Sequence, residues 1–364
     1  MLRLRTQLQR GLMPVGLGLV AVLLHLLIRS LGKEFYLTQL TMAVYYAIVV
    51  MGLSLVMGYA GQVSLGQGAF FAMGGYTAAI LTTHDFSAYQ TAAWMETLKG
   101  MHIFVSRPGL YGGEVTAMTP WASFFVAMML TAGMAFVIGY PSLRLKGHYL
   151  AMATLGFGLI IHKIVVGSSL AGAADGINGV PEWNLGGALT ISGKTPLRVT
   201  NYYVACGLAV VVLIFLRNLI RSRVGRALQA IHDRELAANA MGIPTAAYKL
   251  KVFVLSALLA AVAGVFFTHY TGGIGPSEAG ALKSVRYVAL CAAGGMANLW
   301  GVTILSVLVN FMSLRGWFGS YDHAVFGLLL IAMITWCPQG PLKPVGRWIR
   351  RWSSRRAGGE ELGR

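Results

Sequence analysis

FYLTQLTMAVYYAIVVMGLSLVMG, residues 35–58, continues for 24 residues without a charged side chain. A helix needs about 20 residues to cross ~30 Å of hydrocarbon, so this stretch is long enough to cross a membrane once. Comparable runs, uncharged or carrying a single charge, occupy residues 66–83, 120–143, 147–166, 199–216, 252–282, 287–314 and 323–342. Repeated apolar runs of this length predict an all-α polytopic membrane protein.

The composition excludes an ordinary soluble domain. Of the 364 residues, 56% are hydrophobic and 11% are charged, whereas an average soluble domain has about 25% charged residues. The net charge of +17 does not indicate nucleic-acid binding, because so apolar a chain leaves no hydrated basic face. Cys206, Cys291 and Cys337 all lie in apolar runs, which predicts buried thiols rather than a disulfide or a metal site.

The N-terminal segment predicts a first span that is not cleaved. Arg3, Arg5 and Arg10 precede an apolar run over residues 12–28, as in a secretory signal peptide. Arg29, however, follows the run without a small-x-small cleavage site. We therefore expect this run to stay in the membrane.

Positive charge predicts which loops face the cytoplasm. Four segments are basic, and the last two carry +5 each: the N-terminus, residues 144–146, residues 217–251 and residues 343–364. Two other long loops are not basic, since residues 84–119 sum to −1 and residues 168–198 sum to 0. The positive-inside rule therefore predicts that both termini are cytoplasmic and that the two loops without an excess of positive charge are external.

The number of crossings must agree with these sides. Six crossings bring the chain to the basic loop at 217–251, a seventh takes it outside, and the basic tail requires an odd number of further crossings. The run 287–314 is interrupted by Gly294-Gly295 and by Gly301, which predicts a re-entrant hairpin or a pair of half-helices. We expect eight full spans plus this broken element, or ten spans if it crosses twice, all in one transmembrane domain over residues 1–342.

Motifs of enzymes and metal sites are weak. Residues 188–195 match a relaxed phosphate-loop pattern, but they lie in a predicted external loop rather than between a strand and a helix. The segment from Gln62 to Gly66 lacks the first glycine of a nucleophile elbow, and the chain contains no HExxH motif. The eight histidines are scattered. We therefore predict no enzyme activity, no metal and no cofactor.

Two glycine-rich segments interrupt the apolar pattern, at residues 58–68 and 292–301. Irregular backbone at membrane depth is tolerated where protein buries it or where it lines a wet cavity, and broken helices in both halves of a chain are typical of a substrate path. Close packing of helices through small residues is the alternative. The candidate path residues are Gly61, Gln62, Ser64, Gly66, Gln67, Gly294, Gly295 and Asn298.

The basic loop contains a predicted amphipathic helix over residues 222–244, ending at Gly242. Leu228, Ile231 and Met241 would form its apolar stripe, while Arg226, Arg234 and Glu235 would be solvated. Such a helix is either a solvated connector or a docking surface for a cytoplasmic partner.

Three separated segments resemble one transporter family: residues 58–81 (GYAGQVSLGQGAFFAMGGYTAAIL), residues 146–158 (KGHYLAMATLGFG) and residues 222–244, continuing through 249–257 (KLKVFVLSA). They look like the inner-membrane permeases of branched-chain amino acid ATP-binding cassette (ABC) importers, in particular the second of the two permease subunits. The resemblance covers roughly residues 35–340. It implies a location in the bacterial cytoplasmic membrane.

The resemblance also implies partners and a mechanism. The subunit would pair with a second, related permease, two cytoplasmic ATPases and a periplasmic substrate-binding protein, and ATP hydrolysis would drive alternating access. Residues 217–251 would contain the coupling loop, whose short helix sits in a groove of the ATPase. The matching positions are Arg226, Glu235, Ala238 and Gly242.

Two features depart from the family pattern. The family usually has a Thr-Gly-Gly-x-Asn-Gly run, where this chain has Ala174-Asp-Gly-Ile-Asn-Gly179, and the loop at 84–119 is longer than expected. Both would face the binding protein, so urea, short amides and aromatic acids stay open as substrates beside branched-chain amino acids. A channel or ion-coupled carrier is the competing class, but it would need acidic groups inside the membrane, and the apolar runs contain no well-placed pair.

Overall fold

The computed structural model describes residues 20–87, 103–108, 114–142, 149–187 and 189–317, with a few isolated positions beside them. The described part is mainly helical. Its helices are α1 (Val20–Ser30), α2 (Tyr36–Ser54), α3 (Gln67–Thr83), α4 (Pro120–Ser142), α5 (Tyr149–Gly167), α6 (Arg198–Arg221), α7 (Arg223–Asp233), α8 (Glu235–Ala240), α9 (Thr245–Thr271), α10 (Ala281–Gly294) and α11 (Leu299–Leu314).

Five helical stretches of the described chain are long and apolar enough to cross a membrane: Tyr36–Tyr59, Pro120–Ser142, Tyr149–Gly167, Thr195–Arg221 and Thr245–Thr271. All five were expected from the apolar runs. The predicted span at 12–28 is described from Val20 onward, as α1, and the predicted span at 323–342 lies largely outside the described residues. The totals of eight and ten spans therefore stay predictions.

The helices form an inner and an outer set. In the apolar window of α2, 94% of the residues are buried, whereas the corresponding value for α4 and α5 is 28%. The inner helix α9 packs against α2, α3 and α4. The outer helices expose large apolar side chains such as Met129 and Met152, as expected of surfaces that meet lipid or another membrane subunit.

The loops predicted to be external contain short strands that the all-α prediction missed. β1 (Phe104–Pro108) pairs antiparallel with β2 (Glu114–Met118). β3 (Ile177–Asn178) pairs with β6 (Gly273–Ile274), and β4 (Trp183–Gly186) pairs with β5 (Leu189–Ile191). Strands of two to five residues are too short to leave a periodic signal in the sequence.

The run 287–314 is a pair of helices, which is one of the two forms expected for it. α10 ends at Gly294, and Gly295 adopts φ +87°, a left-handed conformation that favours glycine. The second predicted interruption, at Gly301, is wrong, because this residue lies inside α11.

The direction of α11 follows from contacts at its two ends. Arg315, directly after α11, donates a hydrogen bond to the hydroxyl of Tyr36 at the start of α2. Ala297, directly before α11, accepts one from Tyr59 at the far end of the same span. α11 therefore runs antiparallel to the Tyr36–Tyr59 stretch along its whole length.

Candidate translocation path and coupling surface

The first glycine-rich segment begins where α2 changes shape. Residues Leu55–Tyr59 form a π-helical turn, and residues 61–66 are irregular until α3 starts at Gln67. Gly61 has φ +67°, where an L-residue with a side chain is strained. The predicted break in the helix is therefore confirmed at this position.

The two glycine-rich segments meet. The Tyr59 hydroxyl donates a hydrogen bond of 2.6 Å to the carbonyl oxygen of Ala297. A Cβ at Gly58 would lie 2.1 Å from the carbonyl oxygen of Met296, so only glycine allows the backbones to approach so closely. Residues that are about 240 positions apart in the chain thus form one contact region.

The polar candidates of the first segment are buried. Gln62 is 7% exposed, and Ser64 and Gln67 are fully buried. Gln67 Nε2 donates to Ser256 Oγ of α9 at 3.0 Å. The amide oxygens of Gln62 and Gln67 accept no hydrogen bond from the described residues, which leaves two buried acceptors for water or a passing ligand.

Gly66 and Ser64 have local structural roles. A Cβ at Gly66 would lie 3.3 Å from the carbonyl oxygen of Thr154 in α5, so Gly66 permits a tight approach between the two segments. The neighbouring Leu65 N donates to Thr154 Oγ1 at 2.9 Å, and Ser64 Oγ lies 3.5 Å from Gly66 N. These contacts place the irregular segment against α5.

The residues of the second glycine-rich segment support two different interpretations, close packing of helices and a substrate path. A Cβ at Gly294 would lie 2.5 Å from Val302 Cα, and one at Gly301 would lie 2.3 Å from the Gly294 carbonyl oxygen. Gly294 and Gly301 therefore permit close packing of α10 on α11, the alternative interpretation. Asn298, in contrast, borders a cavity of about 250 Å³ together with Tyr59.

Two helices begin inside the protein near one another. Gly68 N, in the first turn of α3, donates to Ser284 Oγ, in the first turn of α10, at 3.1 Å. A Cβ at Gly68 would lie 2.7 Å from that hydroxyl oxygen. The N-termini of α3 and α10, each with the partial positive charge of a helix N-terminus, therefore lie side by side.

Beside these helix ends lies an ion pair that the sequence analysis missed. Glu278 is 8% exposed, and Lys283 Nζ lies 2.9 and 3.0 Å from its two carboxylate oxygens. The Tyr46 hydroxyl donates to Glu278 Oε1 at 3.0 Å. Glu278 lies just before α10, and Lys283 lies in the first turn of that helix, five residues later. An acidic and a basic residue so close together in a mostly apolar part of the chain were the signal that the sequence offered.

The predicted coupling surface consists of two helices rather than one. The N-cap of α7 is Ser222, whose Oγ accepts a hydrogen bond from Val224 N, and the C-cap is Arg234, where the backbone is extended before α8. Leu228 and Ile231 are buried within the chain, whereas Met241, predicted to lie in the same apolar stripe, is 83% exposed, so the three side chains do not share one environment.

The four candidate coupling residues lie on or next to α7 and α8. Arg226 and Glu235 are exposed, and Glu235 Oε1 pairs with Lys249 Nζ at 2.5 Å. Ala238 is 5% exposed, and Gly242 is exposed with φ +81° directly after α8. The set therefore contains one buried packing residue, two charged surface residues and one turn glycine.

The coupling surface contacts the first glycine-rich segment. A Cβ at Gly61 would lie 2.8 Å from Nδ1 of His232, which is near the end of α7. Leu236 and Met241, 81% and 83% exposed, leave two large apolar side chains uncovered on the same surface. Isolated exposed apolar residues are ordinary, but two within six residues of one short helix and its C-cap suit a protein contact.

The predicted external side is held by polar contacts. Asp85 accepts hydrogen bonds from Ser87 Oγ, Ser87 N and Thr116 N, and those bonds, chiefly from the Ser87 hydroxyl, hold the pKa of Asp85 below its ordinary value. Of the residues that match the family run, Asn178 lies in β3, and Gly176 and Gly179 both adopt positive φ. The two glycines flank β3, the strand that pairs with β6.

Metal ligation finds no support in the described ranges, which contain no group of three or more His, Cys, Asp or Glu side chains suited to an ion. Cys291 is buried and Cys206 is partly buried, both as free thiols. Cys337 lies outside the described residues.

Comparisons with known proteins identify relatives over most of the chain. Residues 35–334 match the family model described as the permease component of the branched-chain amino acid transport system. The chain is 30% identical to the high-affinity branched-chain amino acid transport system permease protein LivM of Salmonella typhimurium, over 88% of this chain and 73% of that protein. It is 23% identical to the corresponding LivH protein of the same organism, over 83% and 92%. No solved structure matches the chain.

Proposed function

Because the chain belongs to the family of branched-chain amino acid transport system permease components, we propose that it moves branched-chain or related amino acids across the bacterial inner membrane as the membrane-spanning subunit of an ABC importer. ATP-driven alternating access would supply the movement. The carrying observation is the contact of three elements at one end of the molecule. The two glycine-rich segments join through Tyr59 and Ala297, and the coupling surface reaches them through His232 and Gly61.

This arrangement suits the transmission of a movement. A shift of α7 on the ATPase would press His232 on Gly61, and the Tyr59–Ala297 hydrogen bond would carry the displacement to the start of α11. Packed elements with two discrete arrangements are the physical route by which a local push becomes a larger change. Arg226, Glu235, Ala238 and Gly242 are the proposed ATPase contacts.

The proposal includes the partners. The chain is similar to both LivM and LivH, whose names describe permease proteins of one kind of transport system, so a second related permease is the proposed partner within the membrane. Two ATPases would bind the coupling surface, and a periplasmic binding protein would bind the side that carries residues 84–119 and 168–198. Both termini would be cytoplasmic.

The translocation path would include the irregular backbone at both breaks. Gly61, Gln62, Ser64, Gly66 and Gln67 are the proposed lining of the first break. Gly294, Gly295 and Asn298 belong to the second, where the close packing of Gly294 makes Asn298 the better candidate for a contact with substrate.

Reconstitution tests the proposal directly. Proteoliposomes would hold this chain alone, or this chain with its second permease and ATPases, and radiolabelled leucine would be presented with the binding protein. We expect uptake that requires ATP and every subunit. Uptake of leucine by the chain alone, without nucleotide, would refute the ABC mechanism, and ATP-dependent uptake of urea or an aromatic acid instead of leucine would replace the substrate.

A further inference from the structure

The ion pair of Glu278 and Lys283 lies about halfway along the membrane-spanning part of the chain. Its partner Tyr46 is ten residues from the start of the 24-residue stretch Tyr36–Tyr59, which is about 15 Å along a helix axis. The proposed path does not use these three residues. An ionisable pair at such a depth is costly in free energy and is typical of a functional site.

The pair is nearly closed off but not completely buried. The side chains of Glu278 and Lys283 are 11% and 27% exposed, and Lys283 Nζ also lies 4.2 Å from the ring centroid of Tyr46. Leu282 and Val285, on a neighbouring face of α10, are 70% and 46% exposed. A lysine side chain that is about one quarter exposed at this depth is unfavourable against hydrocarbon, so this side of α10 must meet water or another subunit.

The surroundings of the pair favour a small charged ligand. The adjoining helix N-termini of α3 and α10 add a positive partial charge, and Arg286 lies within electrostatic range of Tyr46. Two buried hydroxyls, those of Tyr76 and Tyr287, lie within electrostatic range of Glu278 and make no hydrogen bond with the described residues.

We propose that the Glu278–Lys283 pair is an exchangeable gate that selects zwitterionic amino acids: the substrate carboxylate pairs with Lys283 while the substrate ammonium pairs with Glu278. This inference rests on the proposed function and names the groups that would recognise its substrate. No covalent bond forms or breaks, and no proton moves.

Charge balance explains the selectivity. Opening an ion pair in a medium of low dielectric constant leaves two unpaired charges, which is strongly unfavourable. A zwitterion replaces both partners at once, so the net charge of the site does not change. An anion would leave Glu278 unpaired, a cation would leave Lys283 unpaired, and an uncharged urea or amide would pair with neither.

The test uses the complete importer in proteoliposomes with binding protein and labelled leucine. The single variants Glu278→Gln and Lys283→Gln are expected to reduce uptake at least tenfold. The double variant Glu278→Gln with Lys283→Gln is expected to unfold closer to the wild-type temperature than either single variant, because removing both charges leaves no unpaired buried charge. Its uptake is nevertheless expected to stay at least tenfold reduced.

A variant with the two charges exchanged tests whether uptake can be recovered. Glu278→Lys combined with Lys283→Glu re-forms the pair with reversed polarity, and a zwitterion can meet it by turning round, so at least partial recovery of uptake over the single variants is expected. The matched control is the exposed carboxylate Glu34, between α1 and α2, where Glu34→Gln is expected to leave uptake unchanged.

The outcomes separate the two levels of the argument. If the wild-type importer does not take up leucine, the proposed function is refuted. If the wild-type importer takes up leucine and the neutral double variant does so equally well, the gate is overturned and the ion pair has only a structural role. The gate is equally overturned if uptake and unfolding temperature fall and recover together in every variant.

Discussion

Replacing Gly58 by alanine should separate the two glycine-rich segments. The added Cβ would lie 2.1 Å from the carbonyl oxygen of Met296, 2.4 Å from its carbonyl carbon and 2.7 Å from Ala297 N. All three are backbone atoms, so no side-chain rotation relieves the contact. Since real Cβ contacts are longer than 3.0 Å, the turn at residues 296–297 must move away from Gly58 by about 1 Å.

This displacement also breaks the hydrogen bond between the segments. The Tyr59–Ala297 distance of 2.6 Å would become about 3.6 Å, which no longer counts as a hydrogen bond. Overpacking costs about 1–3 kcal/mol, and the lost hydrogen bond costs about 0.5–1.5 kcal/mol more. Because each 1.4 kcal/mol is a factor of about ten in an equilibrium, we expect transport to fall at least tenfold.

The assay compares two glycine-to-alanine changes in the reconstituted importer. Gly156, inside α5, has no atom within 4 Å of the position of an added Cβ, so Gly156→Ala should be neutral or slightly stabilising. ATP-dependent leucine uptake and the unfolding temperature are measured for both variants. If Gly58→Ala matches Gly156→Ala in both measurements, the close approach of the two segments is refuted.

Three further predictions concern the coupling surface and the predicted external side. Glu235→Lys or Gly242→Asp should abolish uptake while the chain still inserts into the membrane, which uptake and membrane fractionation measure together; unchanged uptake would contradict the coupling assignment. The pKa of Asp85 is lowered by its bonds to Ser87, so its contribution to the stability of the β1–β2 hairpin is fully present above the ordinary carboxyl pKa and is lost as pH falls through the lowered value. The protection factors of the β2 amides, corrected for the intrinsic pH dependence of exchange, should fall in that acid range, and Asp85→Asn should show no such fall. Asn201→Leu removes hydrogen bonds to three carbonyl oxygens and one backbone N–H, which should cost about 2–5 kcal/mol and speed proteolysis of the β4–β5 hairpin; unaltered proteolysis would contradict this role.

The long helices were predictable because their cause is local. Each apolar run must satisfy its own backbone hydrogen bonds in hydrocarbon, so length and absence of charge are sufficient signals. Boundaries were less accurate where charge is solvated. α9 begins at Thr245, seven residues before the uncharged run, because Lys249 and Lys251 are compatible with a helix outside the apolar region.

The candidate site was predictable only in part. Breaks at Gly61 and Gly295 were expected, because glycine at positive φ interrupts a helix. Gly301 looked the same in the sequence but lies inside α11, where its missing side chain serves packing against Gly294. A glycine that bends the backbone and a glycine that admits a neighbour differ only in what lies next to them.

The amino-acid sequence by itself determined that the protein crosses the membrane repeatedly, which loops are basic and where two of the three predicted helix breaks lie. These properties depend on composition within windows of about 20 residues. Tertiary structure decided the contacts of Tyr59 with Ala297, Gln67 with Ser256 and Tyr46 with Glu278, whose partners are 189 to 238 positions apart. The physical reason is that a buried polar group takes its partner from whichever helix packs beside it, and packing depends on the shape of the whole chain.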